Sequence, residues 1–329
     1  MDSILLSSVL IVTITLAITV LLEQKLVPYL RGRASQPIYA DGPVWHMSKS
    51  GTPTMGGLGF LASINFSLGI ICLLLMSDNE SFNYGLSILI SLIYSSANAL
   101  IGIFDDLMKL KRKQNGGLTP TQKIMLQLLL AILFLMARAY FFKDNTILQF
   151  TFGSIDIGIF YYPFAIILLL GVVNCANLSD GIDGLASSVA VSIGGVFLTL
   201  SFIAPIPEVS ILSSALIGGA CGFLIFNKHP AKIFMGDTGS LFLGALAVCL
   251  SFSSGNPLLI IAIGGVYVIE GVSVILQVIY FKLTKKRLFK MAPLHHHLEK
   301  CGYSENKICI IAVVVTLVFS ALSLLLFKV

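Results

Sequence analysis

The chain has 329 residues, of which 56% are hydrophobic and only 11% are charged, and its formal net charge is +5. A soluble domain carries about 25% charged residues, whereas the mean hydropathy of this chain is +0.93. This composition excludes an ordinary water-soluble protein, and no polar stretch is long enough to form a separate soluble domain. We therefore expect a single all-α integral membrane domain over residues 1–329.

Ten apolar runs along the chain have the character of membrane-spanning helices. A bilayer core needs about 20 apolar residues per helix. The first run has neither a basic segment before it nor a small-residue cleavage site, so we interpret it as a retained span rather than a signal peptide. The expected spans are residues 3–22, 56–76, 86–104, 122–142, 159–173, 185–203, 209–226, 240–253, 257–281 and 306–327.

Basic residues are distributed unequally between the two sets of loops that ten spans create. All Lys and Arg residues except Arg138, Lys143 and Lys328 lie in one set of loops or at the adjoining helix ends. Because cytoplasmic loops are enriched in Lys and Arg, this set is predicted to face the cytoplasm, with both termini outside. The outer stretch 146–158 alternates in hydrophobicity around a central Gly-Ser, which indicates a small hairpin.

Chemistry-bearing residues gather in the predicted cytoplasmic loops, beginning with the segment KSGTPTMGG before the second span. This segment contains Lys49 and Thr54, and its order differs from the GxxxxGK[ST] pattern of a P-loop. A flexible Gly-Thr-Pro sequence with a lysine could wrap a phosphorylated ligand, or it could serve only as the loop before the helix.

Two adjacent aspartates, Asp105 and Asp106, lie at the predicted inner end of the third span. A helix C-terminus disfavours anions because the helix macrodipole is negative there. The pair therefore requires a compensating charge, and charged residues kept near membrane helices usually have a function. The simpler alternative is a solvated helix end with nearby lysines as counterions.

The loop after the fifth span, NCANLSDGIDG, is rich in amide and carboxylate oxygens and contains no Lys or Arg. It supplies Asn174, Asn177, Asp180 and Asp183. Asn, Asp and Gly also favour turns and helix N-caps, and Asp183 alone would fit that simpler interpretation. The whole run is too rich in ligands for capping only, and it lacks the twelve-residue pattern of an EF-hand.

The next inner loop begins at Asn227 and ends in FMGDTGS, which opens the eighth span. Free backbone N–H groups at a helix start attract phosphate, and a carboxylate such as Asp237 could hold Mg²⁺ against that phosphate. Asp237 could instead cap the helix. Phe234 is either an aromatic residue of the membrane interface or a stacking surface for a base.

The last inner loop is basic and contains three adjacent histidines, His295, His296 and His297. Its lysines and its arginine are typical of segments that bind anionic lipid headgroups. Consecutive side chains on a helix do not face one point, and no cysteine pair completes a tetrahedral zinc site. We therefore favour hydrogen bonding of the histidines to phosphate or to a polar substrate.

Together these segments offer carboxylates for a divalent metal, helix-start amides and lysines for phosphate, and histidines as polar or acid–base groups. All are predicted at the cytoplasmic membrane surface. The combination suits phosphoryl transfer between a soluble donor and a lipid acceptor, in which a metal ion bridges phosphate oxygens.

Five segments resemble motifs of the polyprenyl-phosphate N-acetylhexosamine-1-phosphate transferases: KSGTPTMGG, GIFDDLMK, NCANLSDGIDG, FMGDTGS and MAPLHHHLEK. They occur in that family's order, so the resemblance covers nearly the whole chain. The HHH segment after Ala-Pro is similar to the muramoyl-pentapeptide branch of the family. The resemblance implies transfer of phospho-MurNAc-pentapeptide from UDP-MurNAc-pentapeptide to undecaprenyl phosphate, which yields lipid I and UMP for peptidoglycan synthesis.

The resemblance also implies a setting and residue roles. The setting is a homodimeric, multi-pass protein among the lipids of the bacterial inner membrane, with no nucleic-acid partner. Mg²⁺ is assigned to Asp237, and Asp105 and Asp106 to the catalytic centre, with Asp105 the candidate base. The nucleotide and sugar pocket would hold Asn177, Asp180 and Asp183, with Phe234 near uracil. The substrate-binding residues are Lys49, Thr54, Lys113, Lys123, Asn174, Asn177, Asp180, Asp183, Asn227, Phe234, Gly236, Ser240, Gln277, His295, His296 and His297.

Alternatives stay open for both mechanism and function. A phosphate monoester has its second pKa at about 6 and is mostly dianionic at pH 7, so proton removal by Asp105 would contribute little. A two-step route would use an aspartate nucleophile; we predict direct attack. The rival functions are a sister transferase for another UDP-sugar and, less favoured, a lipid transporter. A transporter would be expected to carry charge at mid-bilayer, where only Glu270 and Gln277 sit inside a predicted span. The sequence leaves Glu270 without an explanation.

Overall fold

The computed structural model describes residues 2–34, 49–112, 116–143 and 146–327. Ten helices in these ranges are long and apolar enough to cross a membrane, which confirms the predicted all-α membrane fold. The described helices are α1 (Asp2–Leu30), α2 (Gly57–Met76), α3 (Phe82–Arg112), α4 (Pro120–Phe141), α5 (Tyr161–Leu178), α6 (Leu185–Ile203), α7 (Pro207–Asn227), α8 (Gly236–Ser253), α9 (Leu259–Ile263), α10 (Gly265–Thr284), α11 (Leu294–Lys300) and α12 (Glu305–Leu326).

α8 lies at the centre of the bundle and packs against α2, α3, α5, α6 and α7. Of its residues, 89% are buried, the largest share among the described spans. Its sequence is apolar or small on every side, which is typical of a helix that is enclosed all round. The first turn of α8, which carries Asp237, is therefore held in a fixed place at one end of the bundle.

Glycines let three helices approach closely at the start of α8. A Cβ atom added to Gly239 would lie 2.9 Å from the Cα of Gly57, the first residue of α2. A Cβ atom added to Gly102 of α3 would lie 2.6 Å from the backbone nitrogen of Thr238. Small residues permit such close helix contacts in membranes, so the first turns of α2 and α8 and the part of α3 around Gly102 meet at one point.

α3 is longer than the predicted span 86–104. The prediction that Asp105 and Asp106 lie at the C-terminus of this helix is therefore wrong. The helix runs to Arg112, so Asp105 and Asp106 lie almost two turns before its C-terminus. The last turn instead carries Lys109, Lys111 and Arg112, the charges that a helix C-terminus favours. The aspartate pair is therefore not opposed by the macrodipole, and its compensating charges come from specific lysines.

The predicted span 257–281 is divided in the structure. α9 ends at Ile263 and α10 begins at Gly265. A Cβ atom on Gly264 would lie 2.7 Å from the carbonyl oxygen of Ile260, and adjacent glycines are a common cause of a break in a helix. The last basic loop also contains the short helix α11, which was not among the predicted elements.

The hairpin predicted at 146–158 is confirmed. Strand β1 (Ile147–Phe150) pairs antiparallel with β2 (Gly153–Asp156), and Phe150 lies opposite Gly153. The N–H of Thr151 donates to the carbonyl oxygen of Leu326 at 3.0 Å. The hairpin therefore lies against the C-terminal end of α12, at the opposite end of α12 from Glu305.

Candidate active site

The three predicted catalytic aspartates come together at the meeting point of α3 and α8. Asp105, Asp106 and Asp237 each bring a carboxylate oxygen within 4.8 Å of the others. Asp105 is 0% exposed and Asp106 is 4% exposed, whereas the side chain of Asp237 is 16% exposed. Asp237 is therefore the member of the cluster that a ligand reaches most easily.

Two lysines neutralise this cluster. The Lys109 ammonium lies 2.7 Å from Asp105 Oδ2 and 3.2 Å from Asp237 Oδ1. The Lys123 ammonium lies 3.0 Å from Asp105 Oδ2 and also donates to Asp237 Oδ2. Lys123 was predicted as a binding residue and Lys109 was not, although its spacing of four residues from Asp105 on one helix is a recognisable signal. The site combines acceptors for a metal with donors for phosphate.

Asp106 stabilises the start of α8 through hydrogen bonds. Its carboxylate accepts the backbone N–H groups of Asp237 at 3.2 Å and of Thr238 at 2.9 Å, and also the Thr238 hydroxyl at 2.7 Å. Negative charge is favourable at a helix N-terminus, so Asp106 caps α8 from a different helix. Gly236 has φ +73°, and a Cβ atom there would lie 2.6 Å from Asp106 Oδ2. Two of the amides predicted to bind phosphate are thus already paired.

Asp105 fixes the loop that follows α3. Its Oδ1 accepts the backbone N–H of Leu118 at 2.7 Å, and a Cβ atom on Gly117 would lie 2.9 Å from Asp105 Oδ2. This loop leads directly into α4, which carries Lys123. Lys113, another predicted binding residue, lies outside the described residues.

A second charged cluster joins Lys49, Asp183, His229 and Glu305. The Lys49 ammonium lies 2.7 Å from both Asp183 Oδ1 and Glu305 Oε2. His229 Nδ1 lies 3.0 Å from Asp183 Oδ2, and the N–H of Asp183 donates to Glu305 Oε2 at 2.7 Å. Lys49 and Asp183 were predicted as site residues. His229 and Glu305 were missed, because a lone histidine and an acid in the first turn of a helix have ordinary structural explanations.

Asp180 is an acid of the loop after α5 that is in electrostatic contact with both clusters. Burial raises the pKa of the Asp180 carboxyl well above its usual range, and the charges of Asp237, Asp106 and Asp183 raise it further. The charges of both clusters therefore act on one predicted acid of the loop after α5.

Several predicted binding residues tie helices to each other. The Asn177 amide donates to Ser240 Oγ at 2.9 Å, and Ser240 Oγ donates to the Gly236 carbonyl at 3.1 Å. The Asn174 amide donates to Gln127 Oε1 at 2.7 Å. Both asparagines lie in the last turns of α5 and not in the predicted loop after it. Their bonds connect the end of α5 to α8 and to α4, and so fix where the loop after α5 begins.

Asn227 and Gln277 stabilise loops in the same way. Buried Asn227 accepts the N–H of Gly184 at 3.1 Å and donates to the carbonyl of Ile233 at 3.0 Å. The Gln277 side-chain oxygen accepts the N–H of Phe289 at 2.9 Å. Asn227 thus joins the loops after α5 and α7, and Gln277 holds the basic loop after α10.

Phe234 and Thr54 lie on two segments that are paired through the backbone. The Phe234 N–H donates to Pro53 at 2.8 Å, and the Phe234 carbonyl accepts from Gly56 at 2.9 Å. Phe234 is half-buried. Thr54 Oγ1 is buried and has no hydrogen-bond partner among the described residues, and a Cβ atom on Gly236 would lie 3.0 Å from it. This hydroxyl therefore lies against the start of α8.

The pair formed by His295 and Glu270 accounts for an acid that the sequence left unexplained. His295 Nδ1 lies 3.1 Å from Glu270 Oε2, and the His295 backbone N–H donates to the same oxygen at 3.2 Å. His295 Nε2 is buried without a partner in the described structure, and Gly181 lies directly beside it. Glu270 therefore orients the ring so that Nε2 faces the loop after α5.

The other two histidines have different partners. His296 Nδ1 lies 2.6 Å from Glu299 Oε2, and His297 Nδ1 accepts the N–H of Lys290 at 3.1 Å. The three residues are adjacent on α11, and each Nδ1 atom has a different partner.

Comparisons with known proteins point to one family. Residues 88–255 match the family described as glycosyl transferase family 4. The chain is 41% identical, over 326 residues and 98% of both chains, to the phospho-N-acetylmuramoyl-pentapeptide-transferase of Halalkalibacterium halodurans. It is 44% identical to that of Clostridium botulinum strain Eklund 17B over 86% of this chain and 85% of the other, and 41% identical to that of Bacillus subtilis over 89% of both.

Proposed function

The chain belongs to the phospho-N-acetylmuramoyl-pentapeptide-transferase family, within glycosyl transferase family 4, and from this membership we propose its reaction. It transfers phospho-MurNAc-pentapeptide from UDP-MurNAc-pentapeptide to undecaprenyl phosphate. The products are UMP and undecaprenyl-diphospho-MurNAc-pentapeptide, or lipid I, for peptidoglycan synthesis. The observation that carries the proposal is the cluster of three aspartates and two lysines at the start of α8, in a bundle of membrane-spanning helices.

The carboxylate cluster fits Mg²⁺, which prefers hard oxygen ligands. Asp237 is the most accessible carboxylate, and Asp106 is committed to the α8 amides. We therefore assign the ion to Asp237, with Asp105 as the second donor. A bound Mg²⁺ would neutralise charge on the diphosphate of the donor.

Lys109 and Lys123 bring two positive charges to the same place. In this proposal their ammonium groups bind diphosphate oxygens and offset the charge that develops on the departing UMP. An oxygen of undecaprenyl phosphate attacks the phosphorus that bears the sugar. The new P–O bond forms as the bond between that phosphorus and the UMP oxygen breaks, so the diphosphate linkage is exchanged without an external proton donor.

Direct attack is favoured over a phosphorylated aspartate because of the surroundings of Asp105. Its side chain is fully buried, pairs with two lysines and accepts the N–H of Leu118. A nucleophile must reach the phosphorus, and a carboxylate with these three partners would first have to lose them. Trapping a phospho-sugar, free of UMP, on Asp105 would contradict this mechanism.

We further propose that the site faces the cytoplasm of a bacterial inner membrane and that the protein is a homodimer. The cytoplasmic orientation is supported by the basic residues in the loops around the site. It also suits a water-soluble nucleotide donor. The homodimer rests on the family resemblance alone.

A UMP-release assay of the purified chain with undecaprenyl phosphate tests the reaction. We expect turnover with UDP-MurNAc-pentapeptide that requires Mg²⁺, and little turnover with UDP-GlcNAc under the same conditions. A higher kcat/KM for UDP-GlcNAc would instead identify a sister transferase. The Glu270 carboxylate, which the transporter alternative would have used, pairs with His295 of α11.

A further inference from the structure

The hairpin of β1 and β2 has one apolar face and one mostly polar face. Side chains alternate between the two faces of a strand, and residues that pair across two strands share a face. In this hairpin Leu148 pairs with Ile155, and Gln149 pairs with Ser154. The apolar face therefore holds Leu148, Phe150 and Ile155, and the other face holds Ile147, Gln149, Ser154 and Asp156. An element with two such faces fits a boundary between an apolar and a polar medium.

The apolar face continues into the turn of the hairpin. The ring of Phe152 stacks on the ring of Phe150, with the ring centres 5.1 Å apart and an angle of 22° between the planes. Phe150 is half-buried, whereas Phe152 is 77% exposed and Ile155 is 53% exposed. The described residues of the chain therefore leave two large apolar side chains of this face largely uncovered.

Hydrogen bonds fix the hairpin at the end of the bundle opposite the candidate active site. The Thr151 N–H donates to the carbonyl of Leu326 at 3.0 Å, and the Thr151 hydroxyl donates to the carbonyl of Leu325 at 2.7 Å. The side-chain amide of Asn256 donates to the carbonyl of Gln149 at 2.8 Å. The turn is therefore held against the end of α12, and β1 is held against the segment between α8 and α9.

The length of α12 gives the level of this contact in the membrane. Glu305, its first residue, pairs with Lys49, and such charges lie at or beyond the boundary of the hydrocarbon core. A helix rises by roughly 32 Å between residues 305 and 326, and the hydrocarbon core is about 30 Å thick. Leu326, and the hairpin turn bonded to it, therefore lie near the opposite boundary of this core.

Aromatic side chains at the neighbouring helix ends mark the same level. Tyr140 and Phe141 at the C-terminal end of α4 are exposed, and so is Phe160 immediately before α5. Aromatic residues are enriched where membrane proteins pass through the boundary between lipid and water. Phe152 extends this group of aromatic residues, although it lies on a hairpin instead of a helix.

The free edge of β2 limits how deep the hairpin can lie. All four residues of β2 are exposed, and β1 is its only partner among the described strands. Backbone N–H and C=O groups without partners are costly in hydrocarbon. The strand therefore stays among headgroups and water, and only side chains of the apolar face can reach the acyl chains.

We propose that this hairpin is a membrane anchor that inserts Phe152 and Ile155 into the leaflet opposite the candidate active site. The two side chains contact the part of the acyl chains nearest the headgroups, and the face with Gln149 and Ser154 is turned to water. The partner is the phospholipid surface itself. Headgroup charge plays no part, because the apolar face carries no charged residue. The inference does not depend on the proposed reaction.

Tryptophan fluorescence tests this assignment, because the chain has a single tryptophan, Trp45. In a Trp45→Phe background, Phe152→Trp places the reporter at the tip of the apolar face. Ser154→Trp is the matched control, two residues away on the polar face. The full-length protein is placed in nanodiscs of phosphatidylcholine that carries bromine either near the headgroup or at the end of the acyl chains. Acrylamide serves as the quencher in water.

We expect Phe152→Trp to lose most of its fluorescence when bromine is near the headgroup and to lose less when bromine is at the chain ends. It should be shielded from acrylamide. Ser154→Trp should respond to acrylamide and not to bromine. Adding anionic lipid should leave the bromine quenching unchanged. Ile155→Trp, also on the apolar face, should behave like Phe152→Trp and carries the test if that variant does not fold.

Quenching of Phe152→Trp by acrylamide and not by bromine would place the tip in water and overturn the proposal. Equal responses of Phe152→Trp and Ser154→Trp would contradict the two-faced orientation, and stronger quenching from the chain ends would contradict the depth. Shielding of Phe152→Trp from both quenchers would mean that protein, such as a second copy of the chain, covers the tip. That result would also overturn the assignment to lipid.

Discussion

Asp106 and Asp237 are carboxylates of one cluster, yet their environments predict different consequences of substitution. Asp106 is buried and accepts three hydrogen bonds from the first turn of α8. Asp237 is partly exposed and interacts with the ammonium groups of two lysine side chains. Removing Asp106 leaves buried donors without acceptors, whereas removing the charge of Asp237 leaves the helix start intact.

We expect Asp106→Ala to destabilise the fold by roughly 1–3 kcal/mol, the usual cost of unsatisfied buried donors. Asp237→Asn should abolish UMP release with little change in stability. Thermal unfolding in detergent and the UMP assay, applied to both variants, separate the two effects. Full Mg²⁺-dependent activity of Asp237→Asn would show that the metal is held elsewhere.

Glu270 provides a second prediction at this scale, because it acts through His295. Replacing it by Ala frees the imidazole ring, and we expect kcat to fall by about tenfold, the equivalent of one hydrogen bond to a charged group. Glu270→Gln retains an oxygen that accepts from Nδ1–H and should recover part of the rate. The ¹⁵N chemical shifts of His295 report the tautomer directly. A loss of stability without a change in these shifts would leave Glu270 with a packing role only.

The residue types of the site could be read from the sequence, but most of their partners could not. Asp105, Asp106 and Asp237 stood out because acids beside apolar spans are rare. The bond from Thr238 to Asp106 joins residues 132 positions apart, and Glu305 meets Asp183 across 122 positions. Such contacts depend on how the helices pack, so no local sequence pattern predicts them.

At the level of elements, hydropathy located the helices but misplaced some of their ends. The predicted third span stopped at residue 104 because the polar residues up to Arg112 do not belong in lipid. Lys, Arg and Leu are good helix formers, so α3 continues beyond the apolar part. The break between α9 and α10 was not predicted, because it lies within an apolar run. A glycine in such a run does not by itself end a predicted span.

The contact between α3 and α8 depends on Gly102, which leads to a prediction about helix packing. Gly102→Ala places a methyl group 2.6 Å from the Thr238 nitrogen, so α8 must move away from Asp106. We expect a loss of both thermal stability and UMP release. Gly171→Ala in α5 is the matched control, because no heavy atom lies within 4 Å of its added Cβ. There the higher helix propensity of Ala should be neutral or stabilising by up to about 1 kcal/mol. Equal behaviour of the two variants would mean that the close approach of α3 and α8 is not required.

On the scale of the whole molecule, the constraints of the bilayer allow the number of spans and the side of each loop to be predicted from the sequence. Lipid requires spans of similar length, and each span changes the side of the membrane on which the chain emerges. Five candidate spans separate the hairpin from α11, so these two features lie on opposite sides. The distribution of Lys and Arg then predicts which side is the cytoplasm. The order in which the helices pack around α8 has no such counterpart in hydropathy, and it became known only from the structure.

A cysteine-labelling experiment tests this orientation. Cys301, at the end of α11, is exposed, while the other five cysteines are buried or half-buried. A membrane-impermeant maleimide should therefore label the protein in inverted vesicles and leave it unlabelled in intact spheroplasts. The positive-inside rule is the physical reason, because the loop that ends at Cys301 carries Lys285, Lys286 and Arg287.

The matched control moves the single exposed thiol to the hairpin. In a Cys301→Ser background, Ser154→Cys places a thiol on β2, where Ser154 is exposed, and it should be labelled from the outside only. If both thiols react from the same side, the chain crosses the membrane an even number of times between residues 154 and 301, and the prediction of five crossings is wrong. If each reacts from the side opposite to that expected, the bundle is inverted, and the aspartates at the start of α8 would lie on the face that a cytoplasmic nucleotide cannot reach. The labelling pattern therefore decides the topology and the accessibility of the proposed site together.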